Sequence, residues 1–172
     1  MIGLNIIKQS ILCLTLPLLV SALPAAHAQT PGFDKALTGT WTLVAADVQH
    51  PDGTRGRDYG AAPKGLLLID ALGRYSLQIF KVERLRFASA DKNTGTAEEY
   101  RAAVMGSSTH FGTISVDSAA RTLVFHIQNA SFPNWEGEQQ KRSYTLQGGE
   151  LSYRVTPRPN GDVPISVWRH LD

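Results

Sequence analysis

Cysteine is almost absent from this chain of 172 residues: the single one, Cys13, lies in the apolar N-terminal stretch. Leu12 before it is not the small residue that a lipoprotein-type signal places there, which excludes a lipid anchor on that thiol. No disulfide can staple the rest, so its stability must come from a core. An excess of one charge is lacking too. Without residues 1–28 the chain loses Lys8 and no acid, which leaves a formal charge of +1. With no basic run interleaved with aromatics, this argues against a nucleic acid partner. Long apolar runs are confined to Ile11–Val20, broken by Pro17 and too short for a comfortable span, so the mature protein is expected to have no membrane span. Nucleophile elbow, phosphate loop, HExxH and CxxC are all missing, so neither cofactor nor metal is expected and no catalytic residue can be named.

What is present begins with Lys8, the apolar run and Ala26-His27-Ala28, the pattern of a secretory signal peptide cleaved after Ala28. The expected organisation is therefore a signal peptide over 1–28, a short lead-in over 29–37 and one domain over 38–172, exported to a periplasm or to the outside. From Thr38 the sequence breaks into short segments rich in Val, Ile, Leu, Tyr and Thr, with turn signals about every ten residues, the pattern of an antiparallel meander. The strands read as 38–49, 64–70, 74–82, 110–117, 121–128, 138–147, 150–156 and 163–170. Asp52-Gly53, Gly73, Gly148-Gly149 and PRPNGD supply the turns. Eight such strands favour closure into an all-β, antiparallel up-and-down barrel, because closure removes exposed edges. Between the third and fourth strands, Thr96-Ala97-Glu98-Glu99 is a capping box that predicts one helix over 97–105, ended by Gly106 and placed as a plug or lid over one barrel end.

Alternate side chains of a strand share a face. Trp41, Leu43 and Ala45, Leu151, Tyr153 and Val155, and Val163, Ile165 and Val167 make apolar faces expected inside. His110 alternates with Gly112, Ile114 and Val116 and should also point in. Gln140, Arg142, Tyr144 and Leu146 oppose the wholly polar set Gln139, Lys141, Ser143 and Thr145, so the face with Arg142 is the better interior candidate. In two strands both faces carry apolar residues; the more apolar sets, Tyr75, Leu77 and Ile79, and Leu123, Phe125 and Ile127, are taken as interior, which puts His126 outside.

Gly39-Thr40-Trp41 at the first strand and Trp168-Arg169 at the last resemble the lipocalins. PDGT, YGAAPKGLLLID, RYSLQ, RFAS, TAEEYRAA, HFGTISVD and SFPNWEGEQQKR resemble more narrowly the lipocalin-like domain family of bacteria and fungi, over about 37–170. The resemblance implies a lipocalin-like barrel of about eight strands with one inserted helix, and a small apolar ligand as the general expectation. It also implies that Gly39, Trp41 and Arg169 close one barrel end, with the guanidinium covering the indole. The usual lipocalin disulfide is missing, so the transport roles of those proteins are a loose guide.

Several residues could carry chemistry. An inward Arg142 needs an internal carboxylate, backbone carbonyls or an acidic ligand; an outward one would pair with Glu138 or Glu150, and the sequence leaves both readings open. His110 is a ligand donor, a general base or a satisfied core histidine. His110 and His126 could share a metal only if both lay on one face with a carboxylate. Trp135, in the Phe132-Pro133-Asn134-Trp135 loop, is a ligand-facing aromatic or a loop anchor, and Arg84, Arg86 and Phe87 could line the same mouth. The leading expectation is an exported protein binding a small hydrophobic or amphipathic molecule, an acidic one included, through His110, Gln140, Arg142, Tyr144 and Trp135. The alternative is an isomerase, cyclase or hydrolase acting in the same cavity, and a filled structural barrel is the third reading. Nothing in the sequence sets an oligomeric state.

Overall fold

The computed structural model describes residues 33–171. The expected signal peptide and residues 29–32 of the expected lead-in lie outside the described residues. Nine strands follow one another: β1 (Gly39–Gln49), β2 (Arg55–Gly56), β3 (Lys64–Ile69), β4 (Arg74–Phe80), β5 (Ser107–Asp117), β6 (Thr122–Ala130), β7 (Gln139–Gln147), β8 (Glu150–Val155) and β9 (Val163–Leu171). From β3 onward each pairs antiparallel with the next, and β9 returns to β1 from Thr40↔Leu171 to Gln49↔Val163. Eight long strands thus form a closed barrel, with the two-residue β2 as an extra ribbon on the far part of β1. Among the described residues no helix is long and apolar enough to cross a membrane.

Alternation explains most of the interior. Tyr75, Leu77 and Ile79 of β4, Leu123, Phe125 and Ile127 of β6, and Leu151 and Tyr153 of β8 are buried together around Trp41 and Trp168. Two strands depart from the expectation. In β1 the register slips between Leu43 and Ala45, and this bulge turns Ala46 and Val48 inward, where Ala45 was expected. In β9, Ser166 and Trp168 lie opposite Tyr153 and Leu151 and face the core. Ile165 therefore pairs with Arg154 on the other face, although it too is buried.

One end of the barrel is sealed. A short 3-10 turn, Lys35–Leu37, carries Leu37 into the core, and its carbonyl accepts a hydrogen bond from Trp41 Nε1 at 3.1 Å. His170 meets the Trp41 ring edge-on at 4.7 Å. Gly39 is needed there, since its φ of +123° lies in the left-handed region and a Cβ would run into the His170 ring. Arg169, expected to cover Trp41, instead points outward, is 64 % exposed and pairs with Glu150 at 3.7 Å. Its register explains this: His170, not Arg169, stands opposite Trp41.

The helix forms where the capping box predicts, as α1 (Ala97–Met105). Thr96 Oγ1 accepts from Glu99 N at 3.2 Å, and Glu99 Oε2 accepts from Thr96 N at 2.7 Å. It buries none of its residues, however, and Val104 is 55 % exposed. It is no plug. Because so little packing holds it, capping should dominate its local stability: Thr96→Ala is expected to weaken the helix by about 1 kcal/mol. Hydrogen exchange should show lost protection over 97–105 with little change in the melting of the barrel.

Candidate functional site

The other barrel end is open. A cavity of about 240 Å³ lies between the far ends of the strands, bounded by Val48 of β1, Ile79 of β4, Ser108 and His110 of β5, Gln140 and Arg142 of β7, Tyr153 and Val155 of β8 and Ser166 of β9, with Trp135 and Tyr59 at the rim. Strand alternation aims each side chain: Ser108 and His110 are two apart, as are Gln140 and Arg142. Trp135 is held by a 3-10 turn, Pro133–Trp135, with its ring 6.1 Å from His110 and 5.5 Å from Phe132. Tyr59 hangs in the segment between β2 and β3 and hydrogen-bonds with Ser108; burial raises its phenol pKa. At the same end His50 Nδ1 lies 2.8 Å from Asp162 Oδ1, tying the turn after β1 to the loop between β8 and β9.

Arg142 is the centre of this site. It is only 4 % exposed, and no carboxylate pairs with it among the described residues; Glu150, an expected partner, is engaged by Arg169. Its guanidinium lies over the Phe125 ring at 3.8 Å and the Tyr153 ring at 4.8 Å from carbon to centroid. Such contacts with a desolvated cation are worth up to about 2 kcal/mol each. Nη2 donates to Gln140 Oε1 at 2.9 Å and to His110 Nε2 at 3.3 Å. Nε is buried with no acceptor, and the Tyr153 hydroxyl is buried with no partner. A full positive charge is thus fixed in an apolar chamber, with donors to spare.

His110 is set by its neighbours. Since Arg142 can only donate, His110 Nε2 must be the unprotonated acceptor, so Nδ1 carries the hydrogen and donates to the Tyr75 hydroxyl at 2.7 Å. Burial, and after it the positive charge of Arg142, pushes the imidazole down to about 3. Burial likewise raises the Tyr75 phenol, which stays protonated. His110 is therefore a neutral positioning residue whose basic nitrogen is occupied. An unfolded histidine takes up a proton below about 6.5 and the folded one does not until far lower, so stability is full above that value and falls as acid is added. Unfolding free energies measured across the acid range should show a slope of about 1.4 kcal/mol per pH unit from this residue, which His110→Phe removes. A His110 ring resonance that titrates near neutrality would contradict this placement.

The structure brings together four of the five sequence-level ligand candidates: His110, Gln140, Arg142 and Trp135 all line the cavity. Tyr144 does not. It sits opposite Tyr153, but towards the sealed end, where it hydrogen-bonds with Ser118 and packs against the core. His126 lies outside, 3.0 Å from Ser115 Oγ, on the opposite face from His110. Among the described residues no group of three or more metal-binding side chains occurs. Arg84, Arg86 and Phe87 stay off the lining; Arg84 rests on Phe80 and Phe87 on Tyr100. Tyr59, Tyr75 and Ser108 were missed as site residues. Ser108 could have been found by extending the alternation of β5 back from His110.

A closed antiparallel barrel sealed at one end, with a polar cluster in a chamber at the other, defines a lipocalin-like β-barrel. The chain belongs to the lipocalin-like domain family, which it matches over residues 38–167. No curated protein sequence matches it. Among solved structures, it is similar to a lipocalin-like protein from Bacteroides uniformis at 16% identity and a TM-score of 0.42, covering 79% of this chain and 99% of that one. It is similar also to a point mutant of the fluorescent protein UnaG, at 14% identity, a TM-score of 0.37 and coverage of 80% and 97%. A structure described as the REP1-NXSQ fatty acid transporter matches at 13% identity, a TM-score of 0.35 and coverage of 79% and 96%.

Proposed function

We propose that this is an exported binding protein that holds a small hydrophobic or amphipathic molecule in the barrel, with the molecule's polar end on Arg142. Export rests on the N-terminal charge, apolar run and Ala26-His27-Ala28 pattern. The observation that carries the binding reading is Arg142 itself: a buried cation with no anion among the described residues and an unsatisfied Nε–H, in a chamber with mostly apolar walls. Burying such a charge is unfavourable by several kcal/mol unless something compensates it, and a bound polar group would. The geometry favours binding over acid–base catalysis, because His110 Nε2 is already engaged by Arg142 and the imidazole is a poor base.

Native mass spectrometry of the protein purified from its own host tests this. A reproducible extra mass that disappears on denaturation is the expected result. A folded protein that carries no extra mass, and takes up no small molecule from an extract of that host, would contradict it.

A further inference from the structure

Resting on the binding reading above, we infer that the barrel's ligand is a compact organic acid, a single aromatic ring bearing one carboxylate on a short stem, selected by charge against its neutral analogues and by size against long-chain acids. Charge comes first. The lining holds one carboxylate, Asp47, and it is turned to the Arg55 side chain at 3.6 Å. Arg158 at the rim faces Asp58 at 3.9 Å. That leaves Arg142 as the one uncompensated charge of the lining among the described residues, held off water and fixed by Gln140 and His110. A neutral His110 adds nothing to it. One negative charge on the ligand therefore neutralises the chamber, and two would overfill it.

Donor chemistry points the same way. Both hydrogens of Nη2 are committed to Gln140 and His110, so the ligand's oxygen must use the remaining face of the guanidinium. A carboxylate accepts from a guanidinium more strongly than a neutral carbonyl does, since hydrogen bonds between ions are the stronger ones. The walls then choose the body. Trp135 and Tyr59 put aromatic rings at the rim, to which a flat aromatic ring is the natural complement. At about 240 Å³ the chamber is smaller than the roughly 300–1,000 Å³ usual for drug-sized ligands. One ring with a short stem fills it, whereas a long acyl chain would have to leave most of its length in water.

The test is calorimetric titration of the mature protein with three probes: cinnamate, cinnamamide and palmitate. Cinnamate is expected to bind about 10- to 100-fold more tightly than the amide, the range that a charged hydrogen bond supplies, and palmitate more weakly than cinnamate. In Arg142→Met the acid and the amide should bind alike. Equal affinities for acid and amide in the wild-type chain would overturn the charge selection yet leave a small-molecule pocket standing. Palmitate binding more tightly than cinnamate would overturn the size selection. No binding of any probe, in a protein that still retains a neutral molecule in its native mass spectrum, would overturn the inference alone; no binding and no retained mass would remove the binding reading with it. Because the acid-to-amide ratio is read on the wild-type chain, it decides the matter whether or not the variant folds.

Discussion

Arg142→Met is expected to leave the ligand-free barrel as stable as the wild type or more so, while lowering its affinity for a small carboxylate about 10- to 100-fold. The two effects have one cause. In the empty barrel the guanidinium has been taken out of water, and its compensation among the described residues is Gln140, His110 and two aromatic faces. Replacing a buried ion pair by apolar side chains of similar volume is often neutral or stabilising by about 1–4 kcal/mol, and a cation with no paired anion has less attraction to lose. Against this, the variant leaves His110 Nε2 without its donor, a loss of about 1–3 kcal/mol, while Gln140 is near enough to the opening to find water. The terms nearly cancel, so no large destabilisation should appear in a denaturant melt. A loss of more than about 3 kcal/mol would identify Arg142 as a structural clip, and the cavity would lose its reason to bind acids.

The second large effect concerns the sealed end. Trp41→Ala should destabilise the fold by about 3–5 kcal/mol, the range for emptying a buried tryptophan site, because Trp41 is 1 % exposed and tied to Leu37. Arg169→Ala should change stability by less than about 1 kcal/mol, since its pairing with Glu150 is exposed and screened. His170→Ala should fall between the two, because it removes the ring that covers the indole edge. Chemical denaturation of the three variants gives the order directly. If Arg169→Ala were the more damaging of the two flanking changes, the arginine would be the cover after all.

The interior of this barrel was largely legible where strand alternation coincides with a contrast in chemistry. β7 is the clearest case: Lys141, Ser143 and Thr145 are so uniformly polar that the other face, with Arg142, was the better interior candidate. β9 shows the limit. Its Val163, Ile165 and Val167 look more like core than Pro164, Ser166 and Trp168, yet Trp168 is large enough to set the register from the opposite face, and the small Ser166 leaves room beside the chamber. The bulge in β1 was invisible because Ala45 and Ala46 are chemically alike, and only the pairing with β9 shows which of them turns inward. Tyr144 has the right face and the wrong depth: alternation gives direction across the sheet but not distance along the barrel, and two residues past Arg142 is already towards the sealed end. For α1 the cap was legible and the docking was not, since Tyr100 and Val104 share a face yet both stay exposed, Tyr100 meeting Phe87.

The same distinction explains what could be said of the site. Pattern made an inward Arg142 one of two open readings; that it is buried, and that no carboxylate pairs with it among the described residues, follows only from the three-dimensional register, which gives Glu150 to Arg169 and puts His110 and Gln140 against the guanidinium. Family membership fixes the barrel, but function resides in the side chains a barrel happens to present. Here that is one cation among aromatic rings.

The most direct test is to follow the side-chain resonances of the nitrogen-15 labelled protein as cinnamate is added. If the chamber is the binding site, the Arg142 Nε–H, the Gln140 amide and the Trp135 indole should move together and saturate together, while the Trp41 indole at the sealed end stays in place. Arg142 unmoved while resonances on the outer face of the sheet shift would show that the acid binds elsewhere, and the account of Arg142 as the ligand's anchor would be wrong.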